Sequence, residues 1–133
     1  MQEVVVHTAG WIRSDVEVET VDVALSYDPA DPFAVRIDIS SPDRDLTWIF
    51  GRDLLADGLR SMVAIGDGAV QVQATSVLTE ISFLTPADRV VVLRLPWWNT
   101  REFVRLAHVE VPRGQESCDV DAWVAALTAA PEA

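Results

Sequence analysis

The chain has 133 residues, half of them hydrophobic, with 21 acids against ten basic residues and a formal charge of −11. This size fits one domain spanning 1–133, able to bury roughly 65–70% of its unfolded surface without staples. The charge argues against nucleic acid and anionic membranes as partners, since both select for a cationic face. No apolar run approaches the roughly 18 residues of a membrane span, no basic-then-apolar leader opens the chain, and the single Cys118 excludes an internal disulfide. The expected setting is cytoplasmic, with no direct membrane insertion. All ten basic residues are Arg, and Asn99 is the only Asn. A G+C-rich genome writes such a chain.

The first strand carries Val4, Val6, Ala9 and Trp11, whose phase a bulge at Ala9-Gly10 would repair. Val16 to Leu25 alternates cleanly, with Val21, Val23 and Leu25 on one face. Asp28-Pro29 and Asp31-Pro32 then break regular structure. Phe33, Val35, Ile37 and Ile39 form a third strand. After the Ser41-Pro42-Asp43 turn, Leu46, Trp48 and Phe50 mark a fourth. From Gly51 to Arg60 the period changes to helical, with Leu54, Leu55 and Leu59 inward and Arg52, Asp53 and Asp57 outward.

The second half repeats the plan. Met62 to Ile65 is a short strand, Gly66-Asp67-Gly68 a hairpin signal, and Val70, Val72 and Ala74 the next strand. Leu78 to Leu84 and Arg89 to Leu95 follow. A helix begins near Asn99, with Glu102 completing a capping-box pattern and Phe103, Leu106 and Ala107 facing the core. A last helix starts at Asp119, with Val120, Trp123, Val124 and Leu127 on one stripe. The expected fold is α+β: antiparallel sheets from a repeated four-strand-plus-helix unit, with an extra C-terminal helix.

Chemistry is sparse. His7 and His108 lack the companions of a zinc site. Cys118 stands among acids that would raise its pKa and has no His partner. The pairs Asp28/Asp31, Asp43/Asp45 and Asp119/Asp121 sit where turns and helix caps want Asp. No phosphate loop or nucleophile elbow is present. No catalytic residue, cofactor site or metal site is expected. The tryptophans are more informative. Trp48 and Trp123 fall on buried faces. Trp97 and Trp98 are adjacent, so on a helix they diverge by about 100° and one must point away from the core. Trp11, Trp97 and Trp98 are the candidate oligomer or partner contacts.

Three stretches carry a family resemblance: Y-D-P-A-D-P-F-A-V (27–35), W-I-F-G-R-D-L-L-A-D-G-L (48–59) and G-D-G-A-V-Q-V (66–72). V-P-R-G (111–114) and D-V-D (119–121) echo it more weakly. This wording resembles the SsgA-like proteins of actinomycetes, closest to the SsgB type. The resemblance implies a non-enzymatic regulator of sporulation-type cell division, present in the cytoplasm and at division septa. It acts in septum placement through contacts with FtsZ and other SsgA-like proteins. It also implies a homotrimer and a whirly-like fold, with Tyr27 and Phe33 bracing the D-P-A-D-P turn. The alternative is a single-stranded nucleic-acid binder by analogy with that fold. It would need aromatics on a basic groove.

Overall fold

The computed structural model describes residues 2–15, 17–66 and 68–116. Cys118, the helix expected from Asp119, and Trp123 lie outside them. The elements run β1 (Val4–Arg13), β2 (Val18–Tyr27), β3 (Ala34–Ser41), β4 (Arg44–Gly51), α1 (Arg52–Gly58), β5 (Val70–Ala74), β6 (Leu78–Leu84), β7 (Val90–Pro96) and α2 (Trp97–Glu110). The architecture is α+β. One seven-stranded antiparallel sheet, in the order β4-β3-β2-β1-β7-β6-β5, replaces the several sheets expected.

The sheet curls until its two ends face each other. Trp48 on β4 stacks on Phe83 of β6, with ring centroids 4.2 Å apart and planes 23° off parallel. Phe50 meets the same ring edge-on at 6.2 Å. Strands so distant in sheet order touch because the twisted sheet curls over its own inner face. α1 carries the chain from the β4 edge to the β5 edge. Val23, Leu25, Ile37, Leu93, Leu95 and Phe103 fill the interior between sheet and helices.

Period-2 patterning set the strands well, with two corrections. β1 runs against β2 without a bulge, from Val4↔Tyr27 to Arg13↔Val18. Its inward row is Val4, Val6, Thr8, Gly10 and Ile12, so Ala9 and Trp11 face outward. Gly10 disguises this phase because its inward position has no room for a side chain. A Cβ there would lie 2.3 Å from the Arg94 carbonyl oxygen, where β7 joins the sheet. The second correction concerns the repeat. Met62 to Ile65 is no strand, so the second unit has three strands and a helix against four in the first. Met62 and Val63 are exposed, and Ser61 folds the segment locally, exchanging hydrogen bonds with the Val63 backbone. Only Ile65 reaches the sheet, in an isolated bridge to Val72.

α2 also starts earlier than its capping-box pattern implies. Its N-cap is Pro96, with no side-chain cap. Asn99 lies inside the first turn and donates from Nδ2 to Thr8 Oγ1 at 2.7 Å, tying the helix to β1. Phe103 and Ala107 are buried and Leu106 packs against the core, as the helical stripe predicts.

Candidate functional site

Three of the sequence motifs meet at one side chain. Arg52 opens α1, and the sequence places it on the polar face. The structure buries it to 1% exposure. Arg52, Leu55, Ala56 and Leu59 follow the i, i+3, i+4, i+7 spacing of a single stripe, and all four face inward. The guanidinium is therefore delivered beneath the C-terminal end of α2. Its Nη1 donates to the carbonyls of Ala107 at 3.2 Å and Val111 at 2.6 Å. These belong to the last turn of α2 and its C-cap, where unpaired carbonyls and the helix dipole favour a cation.

The same nitrogen donates to Tyr27 Oη at 3.1 Å. Tyr27 in turn donates to the Pro32 carbonyl at 3.1 Å, bracing the D-P-A-D-P turn as expected. Phe33 does not share that task. Its ring is 56% exposed, and it contributes only its carbonyl, which accepts from the Arg52 backbone N–H at 2.8 Å. Arg52 Nη2 pairs with Glu116 Oε1 at 2.6 Å, and Glu116 Oε2 accepts from the Gly114 N–H at 2.7 Å. Glu116's own backbone N–H, then the Arg52 guanidinium, hold its carboxyl below the ordinary range. Burial pushes the Tyr27 phenol up, against the opposing pull of Arg52. The cluster thus joins the Tyr27 turn, the start of α1 and the V-P-R-G loop. Both Nη nitrogens are engaged, while Arg52 Nε is buried without a hydrogen-bond partner; a buried cation tying three segments together suits a structural joint.

Above this joint lies a groove of about 520 Å³ between α1 and α2. Trp97 is half-buried in it and donates from Nε1 to the Leu59 carbonyl at 3.0 Å. Trp98 diverges and is 65% exposed, as two adjacent helical tryptophans must. Arg101 lies over both rings, its guanidinium carbon 5.6 Å from the Trp97 centroid and 5.3 Å from that of Trp98. His108 sits within α2, and its Nε2 is buried without a hydrogen-bond partner. Burial first, then the cations of Arg52 and Arg113, lower its pKa.

Trp11 is elsewhere. It is exposed on the outer face of the sheet, opposite Thr20 and Arg94, whereas α2 packs on the inner face. The three candidate contact tryptophans therefore form two separate surfaces. Trp48 is half-buried against Phe83, with its Nε1 unpartnered. His7 lies exposed on β1. Among the described residues no group of three or more His, Cys, Asp or Glu side chains could hold a metal ion, and no helix is long and apolar enough to cross a membrane.

The profile of the family described as "Streptomyces sporulation and cell division protein, SsgA" matches residues 21–116. This chain belongs to the SsgA family. A sporulation-specific cell division protein of Frankia casuarinae is 34% identical over 116 residues, covering 84% of this chain and 77% of the relative. The SsgB protein of Salinispora tropica is 33% identical, covering 89% and 87%. Two solved SsgA-family structures share the fold. The SsgA-like sporulation-specific cell division protein of Thermobifida fusca superposes with a TM-score of 0.78 at 25% identity, over 93% of this chain and 94% of that one. The structure from a study of SsgB mutations and longitudinal cell division in Streptomyces coelicolor gives 0.71 at 27% identity, over 87% and 95%. The matched span of the SsgA family profile takes in the whole Arg52 joint, from Tyr27 to Glu116.

Two features of the site are not evident from the sequence pattern. Arg52 was hidden by its residue type, although its place on the Leu55–Leu59 stripe was visible. The groove cations were hidden by their scatter along the chain. On α2, Trp97, Arg101, Val104 and His108 do share one helical stripe.

Proposed function

We propose that this chain is a non-enzymatic regulator of sporulation-type cell division, acting through protein contacts in septum placement and FtsZ recruitment. The observation that carries this reading is the family match over residues 21–116, with relatives named for sporulation-specific cell division. The site geometry supports it, since the buried Arg52 cluster ties structural elements together while Trp98 and Trp11 are left exposed. The chain is read as one domain, a homotrimer working in the cytoplasm at division septa. Trp11, Trp97 and Trp98 are assigned to its oligomer and partner contacts. The edges β4 and β5 invite pairing or cover by another copy. The four-strand-plus-helix first unit and the shortened second support a degenerate version of the whirly-type repeat. A charge of −11 disfavours the nucleic-acid role of that fold.

Co-sedimentation with FtsZ polymers tests the partner. Pelleting with polymer and altered bundling are expected, and a chain that stays in the supernatant would remove FtsZ from the account. Sedimentation equilibrium should return a mass near three chains, and a strictly monomeric species would contradict the trimer.

A further inference from the structure

The groove between α1 and α2 gathers cations in a chain that has few. Arg60, Arg101, Arg105 and Arg113 line it, four of the ten arginines. Two are already committed. Arg113 pairs with Asp57 at 2.6 Å and Asp53 at 3.5 Å, and Arg105 with Glu102 at 2.6 Å. Arg60 and Arg101 make no ion pair with any described carboxylate. The Arg101 guanidinium is held near the two tryptophan rings, 5.6 and 5.3 Å from their centroids, by cation–π attraction, which does not use up its N–H donors. Between these cations the groove is apolar, with Leu59, Trp97 and Val104 along its length and Val109 65% exposed at its end.

We propose that this groove binds a short acidic amphipathic segment of a partner protein. Its apolar side chains would lie on Leu59, Trp97 and Val104, and its carboxylates would take the donors of Arg60 and Arg101. Charge complementarity selects this occupant. An extended polyanion needs a run of unpaired cations along its path, and the groove offers two, on a chain of net charge −11. A volume of about 520 Å³ holds a few side chains, not a nucleic-acid strand. A neutral apolar peptide would leave both arginines without use. The inference rests on reading the chain as one that acts by protein contacts, and it names one surface and one partner chemistry for that reading.

The test is fluorescence anisotropy of a labelled peptide with Glu and Leu at helical spacing, titrated with the full chain. Binding that weakens with added salt is expected. The Arg60→Ala/Arg101→Ala double variant should bind about tenfold more weakly, and Arg36→Ala, on the outer face of β3, as well as the parent. The Lys-for-Glu peptide should not bind. Both groove arginines are exposed, so an unchanged circular dichroism melt will show that the double variant is folded. No binding, equal binding by the double variant, binding of the Lys-for-Glu peptide, or tighter binding of a single-stranded oligothymidylate would each overturn the proposal. The titration contains no division protein, so its failure removes the groove assignment and leaves the division role standing.

Discussion

Two arginine sites lie on either side of the same helix pair and do opposite work. Arg52 is buried and gives its Nη donors to Tyr27, Ala107, Val111 and Glu116, with Nε buried and unpartnered. Arg60 and Arg101 are exposed and make no ion pair with a described carboxylate. The family wording concentrates around the first site. In this chain, then, the motif residues hold elements together, and the surface open to contact carries less of the recognisable wording. A sequence signature can identify a family without marking where it binds.

The largest expected effect is at the joint. Arg52→Met should destabilise the chain by about 3 kcal/mol, because the buried Tyr27 hydroxyl and two carbonyls lose their donor. Arg52→Lys should recover only part of this, since an ammonium cannot span the fork of acceptors. Urea denaturation with a shared m-value would measure both. Next comes Gly58→Ala. A Cβ at Gly58 would lie 2.3 Å from Val72 Cγ1, where α1 presses on β5, so overpacking should cost about 2 kcal/mol. Val72→Ala in the same chain should return part of the loss, and strict additivity of the two changes would argue against a direct clash.

Tyr27→Phe is smaller, about 1 kcal/mol, because one hydroxyl links Arg52 to the Pro32 carbonyl. It should also loosen the 28–32 turn, seen as faster amide exchange there.

The smallest effect is the response to acid. Asp38, Asp57, Glu102 and Glu116 titrate below their ordinary values through hydrogen bonds, chiefly to Arg partners and, for Glu116, first to its own backbone N–H. A depressed folded pKa means stability present above the unfolded value and lost as pH falls through the folded one. His108 acts in the same direction, because its burial opposes protonation in the fold. The unfolding midpoint should therefore be flat from neutrality up to the ordinary tyrosine range, above which the raised pKa of the buried Tyr27 phenol makes it fall. It should fall first below the ordinary His range and further below the carboxylate range. A midpoint that rises on acidification would contradict these pairings.

Much of the fold was legible because strands advertise themselves by alternation. Val21, Val23 and Leu25 on β2, and Val35, Ile37 and Ile39 on β3, were placed by that rule. The misreadings share a cause, which is that tertiary contact overrode local pattern. Gly10 looked like a phase error but is a close approach to Arg94. Met62 to Ile65 looked like a strand, but Met62 and Val63 find no layer to bury against and only Ile65 reaches the sheet. Asn99 looked like a cap and instead bridges to Thr8. For the candidate site, the divergence of Trp97 and Trp98 followed from helical geometry. The groove did not, because Arg60, Arg101 and Arg113 are brought together only by the packing of α1 on α2.

The comparison is tested most directly by thermal unfolding of Arg52→Met beside the Arg60→Ala/Arg101→Ala double variant. Arg52→Met should lower the midpoint by about 10 °C, and the double variant should stay within about 2 °C of the parent. Equal losses in the two, or a larger loss in the double variant, would contradict the division between a structural arginine within and contact arginines on the surface.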